Sequence, residues 1–319
     1  MRRHSANHPA SIMTGSYSFI RYFLVALFVL PLWTGTAIAD ARATKSAAVA
    51  EPAARFTKGL LWKIETPGGA ASHLFGTIHS DDPRITAIPD AVTRTLDASS
   101  RFVMEAVMDG ESLVRMAEVM YYSDGRTLEQ VVGRKLYAES VKALNARGLP
   151  TLGIEKQKPW AVMMALSMPP PRTGEFLDLV LQQRAAGQNK PVSGLETIAE
   201  QLAVFDGMPL RDQIALLEDT VRQQPELDRE FETLHKAWLA RDLAGIVAVS
   251  EKQKPGNERL YAEVMDRLLD QRNRRMAERM APLLKQGDAF IAVGAAHLPG
   301  EAGLLYRLEQ AGYRVTAVY

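Results

Sequence analysis

Two histidines in matched surroundings are the residues of this chain best placed to do chemistry. Ser72-His73-Leu74-Phe75-Gly76-Thr77-Ile78-His79 and Phe290-Ile291-Ala292-Val293-Gly294-Ala295-Ala296-His297 each read as an apolar strand, a glycine, two residues and a histidine. A glycine closing a buried strand lets a backbone or a ligand approach closely. Open α/β sheets bind ligands beyond the carboxyl ends of their strands. Glu105 directly follows Phe102-Val103-Met104, and its functional reading is a carboxylate projecting from a strand end into the same cleft. His79, Glu105 and His297 together supply two neutral imidazoles and a carboxylate, a donor set for a catalytic divalent metal with one position open to water. They match no compact metal motif, so only the fold can unite them. A metal-free arrangement stands beside this one: a histidine as general base, Glu105 orienting it and an arginine holding substrate. Pro299 is well placed to start a helix, whose N-terminus would disfavour imidazolium at His297.

Other polar residues are weaker candidates. Glu196, in Gly194-Leu195-Glu196-Thr197, is either a helix-start carboxylate or a fourth site group. Arg272 and Asn273 fall in the charged run Gln271 to Arg275, most of it solvated helix surface, with one arginine free to face the cleft. Glu301 stabilises a helix dipole whatever the function. His235 is expected at a surface or boundary and His73 in a structural role. Ser80 lacks the context of a nucleophile elbow, and no glycine-rich phosphate loop is present.

The elements that must position these groups follow from periodicity. Leu60–Ile64 and Ser72–Gly76, separated by the turn signal Pro67-Gly68-Gly69, read as a β-hairpin. A short helix runs from Pro89-Asp90 to Leu96, and Arg101–Glu105 is a third strand. From about residue 111 the apolar spacing turns to 3.6 over segments 111–121, 127–146, 158–167, 174–187, 196–206, 209–223, 225–240, 242–252 and 257–286. Among them, 190–196 is a short strand leading into a helix that begins near Thr197. The chain closes with strand 288–293, helix 299–311 and strand 313–318. The expected fold is α/β: a central β-sheet from the N- and C-terminal segments, with a large helical insertion at about 111–286 between them.

Composition excludes several classes. With 38 basic and 37 acidic side chains and a net charge of +1, no basic field invites nucleic acid. No cysteine is present, which removes disulfides, thiolate metal sites and a cysteine nucleophile. At the N-terminus, Arg21 precedes the apolar run Tyr22–Trp33, and Ala37-Ile38-Ala39 is a small-x-small cleavage pattern. This is the plan of a signal peptide over 1–39, starting at Met1 or Met13, with cleavage favoured over an uncleaved anchor. The mature protein is then expected to be exported, periplasmic or secreted, touching a membrane only through that segment. Residues 40–58 are read as a disordered lead and 59–319 as the folded domain.

These residues also resemble a known family. The stretches LWKIE, SHLFGTIHSDDP, FVMEA, SGLETIAEQL, QRNRRMAERM and FIAVGAAHLPGEAGLLYRLEQAGYRV are similar to the GumN branch of the TraB/PrgY/GumN family, over essentially Gly59 to Tyr319. The family is similar to the Tiki proteases and more distantly to erythromycin-esterase-like proteins. The resemblance implies a metal-dependent hydrolase, a peptidase, with a divalent ion such as Mn²⁺ or Co²⁺ and a peptide or small-molecule substrate. It matches His79 and His297 to the motif histidines, Glu105 to the strand glutamate, and Glu196 and Arg272 to further family positions. The alternatives are a metal-free esterase-like hydrolase, or a non-enzymatic binding factor for an envelope polysaccharide or peptide. Oligomeric state is not legible.

Overall fold

The computed structural model describes residues 55–66, 68–169, 172–251 and 258–319. The signal segment 1–39 and most of the expected lead lie outside the described residues.

Six strands form one mixed sheet: β1 (Leu61–Glu65), β2 (Ser72–Thr77), β3 (Arg101–Ala106), β4 (Val192–Glu196), β5 (Ala289–Gly294) and β6 (Arg314–Ala317). Their spatial order is β4-β3-β5-β2-β1-β6. β4, β3, β5 and β2 run parallel, and β1 pairs antiparallel with both β2 and β6. β5 is buried along Ala289–Val293, as a central parallel strand covered on both faces must be. It lies between two strands encoded far earlier, with Phe290 in register with His73 on one side and with Phe102 on the other. The rings of Phe75 and Phe102 each approach that of Phe290 at 6.1 Å.

The helices are α1 (Pro83–Thr86), α2 (Asp90–Ala98), α3 (Gly110–Met120), α4 (Leu128–Val132), α5 (Arg134–Ala146), α6 (Pro159–Ser167), α7 (Leu177–Gly187), α8 (Ile198–Asp206), α9 (Leu210–Arg222), α10 (Leu227–Leu239), α11 (Leu243–Glu251), α12 (Glu258–Met265), α13 (Gln271–Gln286) and α14 (Leu304–Gln310). Most coincide with the 3.6-period segments. The expected helix over 127–146 is two helices broken at Gly133. That over 257–286 contains a π-helical stretch, Asp266–Asp270, between α12 and α13.

Capping accounts for the join of β4 to α8. The Thr197 side chain accepts from the Glu200 backbone N–H and the Glu200 carboxylate accepts from that of Thr197, a capping box. Glu196 is thereby released from capping duty. The expected helix start at Pro299 is not observed. Gly300 has φ +81°, in the left-handed region that interrupts an α-helix, and α14 begins only at Leu304. The His297 segment is instead a single 3-10 turn, Ala295–His297.

Candidate active site

Four adjacent parallel strands each deliver one polar side chain at or just beyond the carboxyl end: His79 after β2, His297 after β5, Glu105 on β3 and Glu196 on β4. The two glycine-histidine stretches lie side by side, Thr77 in register with Gly294. Gly76 is required there. A Cβ at this position would stand 2.7 Å from Leu298 Cδ1 and 3.1 Å from Ala295 Cα. The turn carrying His297 therefore crosses directly over the glycine of the first stretch, and Trp238 donates its indole N–H to the Gly76 carbonyl at 3.0 Å.

Glu105 is the hub. One carboxylate oxygen, Oε2, accepts from Arg272 Nη2 at 2.6 Å and from Gln201 Nε2 at 3.1 Å. The other, Oε1, accepts from the Gly294 backbone N–H at 2.7 Å. Arg272, fully buried, also donates from Nε to Glu196 Oε2 at 2.8 Å, while Arg275 donates to Glu196 Oε1 at 2.7 Å. One planar guanidinium thus bridges two carboxylates from neighbouring strand ends, a geometry lysine cannot copy. Arg272 and Asn273 open α13 directly after the π-helical stretch, and both face inward.

His297 is wholly buried. Its Nδ1 lies 2.6 Å from Asn273 Oδ1, and the Asn273 amide nitrogen donates to the Ala302 carbonyl at 2.9 Å. With the amide so oriented, its oxygen can only accept, so the His297 proton sits on Nδ1 and Nε2 carries a lone pair. That Nε2 has no hydrogen-bond partner among the described residues and faces Glu105 Oε1 at 3.5 Å. Burial, reinforced by the Arg272 charge, pushes the imidazole well below the usual histidine range. Desolvation, rather than a helix terminus, is what favours the neutral imidazole here. A neutral imidazole 3.5 Å from a carboxylate is not an ion pair. Two lone pairs facing each other in a buried space suit a proton or a cation between them.

His79 is held differently. Its Nδ1 lies 3.2 Å from Asp178 Oδ2, and its ring stacks on Phe176 with centroids 4.2 Å apart. Thr77 donates to the other Asp178 oxygen at 2.7 Å. Burial would raise the Asp178 carboxyl, but the His79 and Thr77 hydrogen bonds outweigh it and hold it below the usual carboxylate value. Ser80-Asp81-Asp82-Pro83 fastens the segment that carries Phe176. Asp81 Oδ2 accepts the backbone N–H groups of Arg172, Thr173 and Gly174, and the Ser80 carbonyl accepts that of Leu177.

His79, Glu105, Asp178, Gln201 and Gly294 line one cavity of about 390 Å³. His297 reaches Glu105 from the protein side. Among the described residues no group of three or more His, Asp or Glu is gathered closely enough to hold a metal ion. The structure thus unites Glu105, Glu196, Arg272 and His297 in one network, and brings His79 to the same cavity as Glu105 but onto its own partner, Asp178. His235, expected at a surface or boundary, is buried, with Nδ1 3.8 Å from Asp82 Oδ2. Asp178 and Gln201 escaped the sequence reading because each sits in a helix where an acid or amide is unremarkable. Asn273 stood beside Arg272 in the same charged run.

An α/β protein with a polar site at the carboxyl edge of its parallel strands is the class that fold and site define. The chain belongs to the TraB/PrgY/gumN family, whose model matches residues 60–317. Metalloprotease TIKI2 of Danio rerio is 26% identical over 310 residues, covering 80% of this chain and 60% of that protein. Metalloprotease TIKI1 of Xenopus tropicalis is 26% identical over 309 residues, with the same coverage. Uncharacterized protein YbaP of Escherichia coli (strain K12) is 24% identical over 248 residues, 76% of this chain and 89% of that one. The chain spans about 60% of the length of the metalloprotease relatives it matches. No solved structure matches it significantly.

Proposed function

We propose that the chain is an exported hydrolase that cleaves peptide bonds and depends on a divalent metal. The observation that carries the reading is the buried, unpartnered Nε2 of His297 facing Glu105 Oε1 at 3.5 Å, beside the cavity that His79 also lines. An imidazole nitrogen and a carboxylate oxygen are the donors such an ion takes, and the relatives named metalloproteases support the class. The pair fits an ion only in part, since no third His, Asp or Glu of the described residues joins it. A bound divalent ion supplies a Lewis acid that polarises a carbonyl and acidifies water. Asn273 keeps the His297 proton on Nδ1, so Nε2 stays available. Arg272 and Gln201 hold Glu105 in position from the opposite side. His79, oriented by Asp178, stands at the cavity to accept or return a proton.

A metal-free reading is favoured by one observation, the His79–Asp178 pair at 3.2 Å, which orients an imidazole as general-base enzymes do. Turnover of a peptide library by the processed protein, measured with chelator and then with added Mn²⁺ or Co²⁺, separates the two. Activity abolished by chelation and by His297→Ala, and restored in wild type by metal, is the expected outcome. Full activity in chelator would sink metal dependence and leave the His79 base. No hydrolysis of any peptide under any metal would sink the hydrolase. Export is tested apart, by the mass of the mature N-terminus, expected at Asp40.

A further inference from the structure

Behind its polar rim, the cavity beside Glu105 is walled by methionine. Met104, Met108, Met116 and Met168 line it, four of the 13 methionines in the sequence. They come from β3, the β3–α3 connection, α3 and the end of α6. Leu179 and Ile198 extend the apolar wall. Two stretches of the chain, 104–116 and the residue after α6, bring one side-chain type to one cavity, which no single helix periodicity would produce.

The outer wall, α3, has a distinctive packing. It is amphipathic, yet none of its residues is fully buried in the core. Its apolar row Leu113, Met116, Met120 follows helical spacing, with Leu113 49% exposed and Met108, just before the helix, 43% exposed. α3 packs on α8, from which Ile198 joins the cavity wall. Met116 and Met120 pack against the core, while Leu113 and Met108 stay exposed at the mouth of an apolar cavity with a carboxylate and an imidazole on its rim, which a substrate side chain would cover.

We infer that the methionine-lined cavity is the specificity pocket of this site, and that it receives a large apolar side chain of a peptide next to the bond that is cut. The inference rests on the peptide-hydrolase reading above. Methionine side chains are unbranched, polarizable and able to repack, so the pocket takes leucine, methionine or phenylalanine alike rather than one shape. An acidic side chain is rejected, because it would be desolvated among thioethers beside the Glu105 and Asp178 carboxylates.

The test reads binding without turnover. Full-length protein carrying ¹³C-methyl methionine is titrated, in chelator, with acetyl-Gly-X-Gly-amide peptides in which X is Leu, Phe or Asp. Each methyl signal is assigned by its own Met→Leu variant. The Leu and Phe peptides are expected to shift the signals of Met104, Met108, Met116 and Met168, and to bind at least about tenfold more tightly than the Asp peptide. Met116→Lys should remove that preference and add affinity for Asp. Silence of all four signals with every peptide, or equal response to Leu and Asp, overturns the pocket assignment. Apolar binding without cleavage of any peptide supports the pocket and counts against the hydrolase alone. Cleavage that ignores X overturns the pocket and leaves the hydrolase standing.

Discussion

At the residue scale, Arg272 holds the site together. Its guanidinium is fully buried between Glu105 and Glu196; removing it strips Glu105 of its cation and leaves Glu196 with Arg275 alone. Arg272→Met is expected to cost about 3–5 kcal/mol in urea unfolding, because an uncompensated buried charge outweighs the gain in apolar packing. Arg272→Lys should recover little of this, since an ammonium cannot span both carboxylates. Asn273 governs His297 in a different way. Asn273→Asp would put a carboxylate 2.6 Å from Nδ1, favour the imidazolium and raise the His297 pKa. The acid limb of a kcat/KM–pH profile should then move to higher pH, with the fold intact. An unmoved limb would mean that His297 does not titrate in catalysis.

At the scale of the element, the fit between the two glycine-histidine stretches is the sharpest constraint. Gly76→Ala must displace Leu298 or the turn at Ala295, and overpacking of this kind costs about 1–3 kcal/mol. Activity should fall further than stability, because the displaced turn carries His297; unchanged turnover would show that the turn tolerates the shift. The hairpin, the strands and the start of α8 were legible in the sequence because each rests on local chemistry: alternation, Pro-Gly turns and the Thr197–Glu200 pair. Glu105 was legible as a carboxylate out of keeping with its apolar strand, and the two motif histidines through their matched Gly-x-x-His surroundings at strand ends. What a helix faces was not. The inward aim of Arg272 and Asn273 depends on which face α13 turns toward β4, and composition gives no sign of it. Asp178 becomes a partner of His79 only through tertiary packing. Pro299 suggested a helix start that Gly300 then forbids.

For the molecule as a whole, the buried histidines set how stability depends on pH. His297 and His235 both have folded pKa values below the usual 6.5, burial being the first cause in each. As pH falls through 6.5 the unfolded chain takes up these protons before the folded one does. Their contribution is therefore full above that pH and lost below it, by up to about 1.4 kcal/mol per pH unit for each histidine. Asp82, held at about 2 chiefly by its hydrogen bonds from Arg84, acts in a separate window: its contribution is present above 3.8 and lost as pH falls toward 2. Urea unfolding between about pH 7 and pH 5 should show the decline, and His297→Gln should flatten its slope. A pH-independent stability across that range would contradict the buried neutral imidazole.

The place of β5 between β2 and β3 also has a consequence in time. A ribosome delivers β1, β2, β3 and β4 long before the strand that must stand in their midst. Until residues 289–294 emerge, β2 and β3 have no central partner and the sheet cannot close. Synthesis of the last thirty or so residues takes only seconds at about 5–20 residues per second, after a much longer wait. Late closure of this kind leaves the earlier strands of the sheet without their central partner while the rest of the chain is made. A chain ending at Gln286 should then fail to fold rather than fold without a site: no cooperative unfolding transition, rapid digestion by protease and aggregation through its open strand edges. If that truncated chain instead melted as a compact domain, the closing step would lie elsewhere in the sequence.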